Sequence, residues 1–160
     1  MKVILAHHAN CFTAEQNPDR PLTDLGMAQA DRIGRHLKAA GIEPRCIVHS
    51  GRLWTRQTAE RVAAAFGDPA LAQESSYPVF ADSPLQPFLD DIASGCGDIV
   101  MTGHSEFLRR AGAVMTGGDE GRVVIEYKPG HGALFCLEGE GDDWVVAYGL
   151  RQEHMEAFGG

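Results

Sequence analysis

No stretch of this chain is long and apolar enough to cross a bilayer, and no C-x-x-C pair joins any of its four cysteines. The first absence excludes a membrane-spanning helix, which needs about 20 consecutive apolar residues. The apolar opening from Lys2 to Ala6 is also too short for a secretory leader, so a cytoplasmic location is expected. The second absence sets aside a zinc knuckle or a disulfide framework, and the scattered Cys11, Cys46, Cys96 and Cys136 are expected as reduced, mostly buried thiols. Positive charge is scarce as well: 14 Lys and Arg stand against 22 Asp and Glu, a formal net charge of −8. Nucleic acid and anionic membrane surfaces both reward a basic face, so neither is an expected partner, although a small anion can still be held locally. Repeats and linkers are missing too. The 160 residues suffice for a single domain, 1–160, that buries roughly two-thirds of its unfolded surface without a metal or disulfide staple. No cofactor is expected.

What is present is a recurrent placement of polar groups where apolar runs stop. His8 follows Lys2 to Ala6, Ser50 closes Cys46 to Ser50, and His104 follows Asp98 to Gly103. Runs of this kind read as strands buried on both faces, and ligands of open α/β sheets bind beyond the carboxyl ends of such strands. His8 and His104 are therefore expected to face one ligand. Between the runs lie helical patterns. Thr23 is positioned to cap a helix with Met27, Ala30, Ile33 and Leu37 on one side and a stop at Gly41. Further helices are expected over Leu53 to Phe66, Leu85 to Ala93 and Glu106 to Met115. Val123 to Tyr127, Ala133 to Leu137 and Trp144 to Tyr148 are β-prone runs that should extend one sheet edge. Alternating strands and helices imply right-handed crossovers and an α/β fold, a three-layer sandwich around a mainly parallel central sheet. Two long loops, Ala9 to Leu22 and Gly67 to Ser83, are of the length that functional lids have.

Four segments in order carry a resemblance: Val3-Ile4-Leu5-Ala6-His7-His8-Ala9, Arg20-Pro21-Leu22-Thr23-Asp24-Leu25-Gly26, Gln57-Thr58-Ala59 and Thr102-Gly103-His104. Together they resemble the histidine phosphatase superfamily, whose fold is phosphoglycerate mutase-like. The short length, the Arg-Pro-Leu-Thr segment and the Trp144 strand are most similar to its small phosphohistidine phosphatase (SixA-type) branch. The resemblance implies that His8 is the nucleophile that accepts a phosphoryl group and that His104 holds its oxygens. A neutral imidazole can attack phosphorus near pH 7, and the phospho-imidazole is labile enough for water to remove it.

The sequence departs from that pattern at two places. The family has an arginine immediately before the nucleophile, where this chain has His7, and another three residues before Gln57, where it has Trp54. Arginine gives a planar fork of donors and permanent charge; imidazole and indole give neither. An arginine that stabilises phosphoryl transfer is worth roughly 10³ to 10⁵ in rate. Arg20, Arg52 and Arg56 are the residues available to restore charge, helped by backbone N–H groups at helix starts such as that of Thr23. The expected substrate-binding set is thus His7, Arg20, Thr23, Arg52, Trp54 and His131, with no metal ligand assigned. Against these stand plainer roles: His7 as a strand residue pointing away from His8, Trp54 as a packing platform, His131 as a loop residue. His36 is expected in solvent, His49 as a satisfied strand histidine and His154 in a polar tail. No strong general acid is apparent; Asp82 is a weak candidate. A phosphoramidate leaving group needs a protein acid less than a sugar alkoxide does, which favours phosphohistidine.

Three functions follow. One is a phosphatase working through phospho-His8 on a phosphohistidine protein or a small phosphorylated molecule, with protonated His7 as a cation. Another is a catalytically degenerate relative that binds a ligand or protein without turnover. The third is a histidine metal site in the same pocket, drawn from His7, His8, His104 and His131.

Overall fold

The strand runs form β1 (Lys2–His7), β2 (Pro44–His49), β3 (Ala72–Glu74), β4 (Asp98–Gly103), β5 (Leu134–Glu140) and β6 (Asp143–Leu150). The helices are α1 (Asp24–Ala39), α2 (Leu53–Phe66), α3 (Gln86–Ser94), α4 (Ser105–Gly117) and α5 (Gln152–Ala157). These come from a computed structural model in which residues 1–127 and 131–157 are described. The strands make one mixed sheet in the order β3-β2-β4-β1-β5-β6. β3, β2, β4 and β1 pair in parallel, and β5 and β6 add antiparallel ladders at the β1 edge.

Because successive side chains of a strand face opposite sides, the central strands feed two cores. Val3, Leu5, Cys46, Val48, Ile99 and Met101 pack against Phe88 and Ile92 of α3 and Phe107, Leu108 and Ala111 of α4. Ile4, Ala6, Ile47 and Val100 pack against Ile33 and Leu37 of α1 and Ala59, Val62 and Ala63 of α2. This is the three-layer arrangement the sequence implied. Each fully buried Ile or Leu contributes about 1.5–3 kcal/mol relative to exposure.

α1 starts where Thr23 Oγ1 accepts the Gly26 N–H at 3.1 Å, and it ends ahead of Gly41, whose φ of +69° suits a left-handed stop. Gly26 has a second constraint: a side chain there would overlap the carbonyl of Asn10. The helix therefore lies directly against the loop that follows β1.

Several expectations are corrected. Val123 to Tyr127 forms no strand; it runs irregularly over α4, burying Ile125 and Tyr127, and the Tyr127 hydroxyl donates to the Leu5 carbonyl at 3.0 Å. Ile125 and Tyr127 serve burial rather than pairing, while Val123 and Val124 are exposed. The short β3 lies inside the loop expected between Gly67 and Ser83, and its parallel ladder with β2 supplies the pairing that its own residues do not advertise. His154 belongs to α5, which is anchored by buried Met155. His36 is half-buried against Tyr148, ring centroids 6.0 Å apart. Of the cysteines, all free, Cys46 and Cys136 are buried but Cys96 is exposed.

Candidate active site

Backbone pairing at the carboxyl end of β1 gathers the histidines. The His7 N–H donates to the Ala133 carbonyl at 2.9 Å and the His8 N–H to the Gly103 carbonyl at 3.0 Å, while the Gly132 N–H donates to the His8 carbonyl at 3.1 Å. β4 thus delivers His104 and β5 delivers His131 to the same strand end. The His8 ring lies 5.8 Å from that of His104 and 4.9 Å from that of His131. His7, expected to be able to point away, instead turns back onto the cluster: its centroid is 4.5 Å from His8 and 4.9 Å from His131. Trp54 closes another side, 6.1 Å from His8 and 6.2 Å from His104.

The tautomer of His8 follows from its partner. Its Nδ1 is 2.9 Å from the Ala9 carbonyl, which only accepts, so Nδ1 carries the proton and Nε2 the lone pair. Burial, with the neighbouring His7, His131 and His104 acting in the same direction, lowers the His8 pKa to about 2, although the Ala9 bond opposes the shift. His8 is consequently a neutral imidazole with an available Nε2 at physiological pH. Its peptide is held equally firmly: the Ala9 N–H donates to Thr58 Oγ1 at 3.1 Å, and that hydroxyl donates to the Trp54 carbonyl at 2.7 Å.

The tautomer of His104 follows from a chain of hydroxyls. Thr55 Oγ1 donates its one proton to the Arg52 carbonyl at 2.8 Å. The Ser50 hydroxyl, 2.9 Å from Thr55 Oγ1, must then be the donor to it. Ser50 Oγ is left to accept from His104 Nε2–H at 3.1 Å, which places the lone pair of neutral His104 on Nδ1. Burial lowers the His104 pKa; Glu106 opposes this, and Arg52 and Arg20 add to it. The Ser50 that closes β2 thus orients the histidine that closes β4.

Of the arginines, two reach the cluster. Arg20 sits in the left-handed region, φ +52°, with its guanidinium 4.3 Å from the centroid of the Trp54 ring. Its Nε donates to the Phe12 carbonyl at 3.2 Å. A non-glycine residue in that region is held there at a cost of order 1 kcal/mol, and such residues cluster at functional sites. Arg52 lies 5.3 Å from the Phe80 ring, and Phe80 in turn lies 5.6 Å from His104. Arg56 instead pairs with Glu60 on the surface of α2. Thr23 stands apart as well: besides capping α1, its hydroxyl donates to Asn10 Oδ1 at 2.7 Å, so it shapes the loop from 9 to 22. Gln57 serves the same loop by accepting the Leu22 N–H at 2.8 Å.

Glu106 and Phe80 were not foreseen. Glu106 stands two residues beyond His104, and its carboxyl is lowered by a bond to its own backbone N–H and by the Ser105 hydroxyl, with His7 and His104 also contributing. Asp82 is exposed on its loop. A cavity of about 1010 Å³ lined by Met1, Gly97, Met115 and Trp144 lies at the amino ends of β1 and β4, at the other end of the sheet from the histidines.

Residues 4–75 match the model of the histidine phosphatase superfamily (branch 1). No curated protein sequence matches significantly. Among solved structures, the protein histidine phosphatase SixA complexed with tungstate superposes with a TM-score of 0.80 at 16% identity, covering 97% of this chain and 99% of that one. The SixA protein of Agrobacterium tumefaciens gives 0.71 at 21% identity, covering 94% and 97%. The ecdysone phosphate phosphatase of Bombix mori, in complex with tungstate, gives 0.71 at 14% identity, covering 92% of each chain. At these identities the likeness is one of fold. The protein has the histidine phosphatase fold, and its residues 4–75 carry that superfamily's sequence pattern.

Proposed function

We propose that this protein is a phosphatase that works through a phosphoryl group carried on His8 Nε2. The observation that supports it most directly is the buried, neutral His8 whose Nδ1–H is held by the Ala9 carbonyl. In the first step His8 Nε2 attacks phosphorus, a P–N bond forms, and the substrate's bond to its leaving group breaks with the electron pair going to that group. In the second, water attacks the same phosphorus, the His8–phosphorus bond breaks and inorganic phosphate leaves. The catalytic pair is His8 and His104, and the anion is met by Arg20, Arg52, His7, His131 and Trp54. Thr23 acts from behind, through the loop that carries Arg20.

The arrangement answers the absence of arginine at positions 7 and 54. The Trp54 ring offers an aromatic face on which Arg20 rests, so the indole positions a cation that it cannot itself supply. Arg20 and Arg52 both bear on His104, where the oxygens of a transferring phosphoryl group are expected to lie. We assign the substrate class as phosphohistidine on a protein or a small phosphorylated molecule, because a phosphoramidate nitrogen accepts a proton readily and relieves the site of needing a strong acid. Among the described residues no helix is long and apolar enough to cross a membrane, and we place the protein in the cytoplasm.

The test is turnover of phosphohistidine and p-nitrophenyl phosphate from about pH 5 to 8, by parent, His8→Ala and Arg20→Met. Turnover abolished in the first variant and reduced at least about 10²-fold in the second supports the reading. Stabilisation by phosphate with no turnover of either compound favours the degenerate, binding-only alternative, which the loss of the two arginines motivates.

A further inference from the structure

His7, His8 and His131 converge more closely than phosphoryl chemistry asks of them. Each presents one ring nitrogen, and the three nitrogens lie within 4.8 Å of one another. His8 has its other nitrogen bound to the Ala9 carbonyl. The His8 backbone bears on the His131 ring, whose Nδ1 is buried without a hydrogen-bond partner. An imidazole held by a backbone carbonyl on one side and offering a lone pair on the other is how metal-ligating histidines are oriented. His7 joins them from the neighbouring strand position, its main chain fixed by β5.

We propose that His7, His8 and His131 bind one divalent transition-metal ion of the zinc class, with a fourth position left for water. An all-imidazole set suits zinc, copper or nickel and discriminates against magnesium and calcium, which take oxygen ligands. Around zinc, nitrogens at about 2.0–2.1 Å in a tetrahedron are roughly 3.3 Å apart, so the rings close by roughly 1–1.5 Å on binding, within the reach of side-chain rotation. His104 is not part of the set: the nitrogens that converge are those of His7, His8 and His131. Glu106, whose carboxylate bears on His7, brings favourable charge to the site. Arg20 bears on His131 from the other direction and sets a limit on affinity.

One consequence rests on the function proposed above. His8 Nε2 can bind a metal ion or accept a phosphoryl group, but not both at once, so zinc inhibits the phosphatase by occupying its nucleophile.

The binding itself is tested without turnover. Metal-stripped protein is dialysed against Zn²⁺ and the bound ion counted, for the parent, His7→Ala, His131→Ala and Cys96→Ser, with far-ultraviolet circular dichroism to confirm folding. The proposal expects one ion per parent chain, affinity reduced at least about tenfold in each histidine variant and unchanged in Cys96→Ser. Should a histidine variant misfold, Co²⁺ bound to the parent decides: visible bands of a tetrahedral ion without thiolate charge transfer support the site. No bound ion, equal binding by the folded histidine variants, or a thiolate band overturns it. A protein that binds no zinc can still form phospho-His8, and one that forms none can still bind zinc, so the two readings fail separately.

Discussion

Thr58→Val removes one hydroxyl from a fully buried position while keeping shape nearly constant. The parent hydroxyl accepts the Ala9 N–H at 3.1 Å and donates to the Trp54 carbonyl at 2.7 Å. The Trp54 carbonyl keeps its place in the helical ladder of α2, so the main loss falls on the Ala9 N–H, left buried without an acceptor because Ala9 is itself fully buried. An orphaned buried donor costs about 1–3 kcal/mol. For a chain of this size that is a fall in Tm of roughly 2–4 °C per kcal/mol. Thr58→Ser keeps the hydroxyl and loses a methyl group, which sets the comparison: a loss of about 1 kcal/mol from the small cavity alone. Denaturant titration of the three proteins measures both. The same residue, Ala9, supplies the carbonyl that fixes His8 Nδ1, so Thr58→Val should also slow phosphoryl transfer more than Thr58→Ser does. A valine variant as stable and as active as the parent would refute the claim that this hydroxyl holds the strand end that carries His8.

Ser50→Ala removes the acceptor for His104 Nε2–H; turnover should fall about tenfold or more with circular dichroism unchanged, and the pH profile should shift as His104 becomes free to switch tautomer. Gly26→Ala, which in an exposed helix adds about 1 kcal/mol, should instead destabilise, because the new methyl overlaps the Asn10 carbonyl; thermal denaturation gives the sign. Burial lowers the pKa of His49, so the unfolded chain takes up that proton first. Stability from this group is complete above its ordinary value of about 6.5 and is lost as pH falls below it. His49→Gln should therefore flatten the dependence of unfolding free energy on pH between about 7 and 5, read by denaturant titration at each pH.

Helices α1 to α4 and the parallel strands β1, β2 and β4 were legible because their signals are local. Thr23 sits at the cap, Gly41 at the stop, and the apolar residues of α1 recur with helical period. The convergence of His8 with His104 also follows from strand ends in an α/β sheet. What lay beyond reach depends on contacts between distant segments. Val123 to Tyr127 has strand composition, but Tyr127 hydrogen-bonds to Leu5 from a loop. His7 turns to its neighbour because β5 fixes its backbone and places His131 beside it. The partnership of Arg20 with Trp54 joins residues 34 positions apart through a left-handed backbone at Arg20. Glu106 gave one signal, its place just after His104, whereas Phe80 gave none.

A phosphoryl group carried on His8 can be looked for directly. Parent protein mixed with phosphoramidate, quenched in alkali and digested, is mapped by mass spectrometry beside His8→Ala. A phosphoryl group on His8, stable to alkali, lost in acid and absent from the variant, is the predicted result. Turnover that leaves His8 unmodified at every quench time, or persists in His8→Ala, would contradict it.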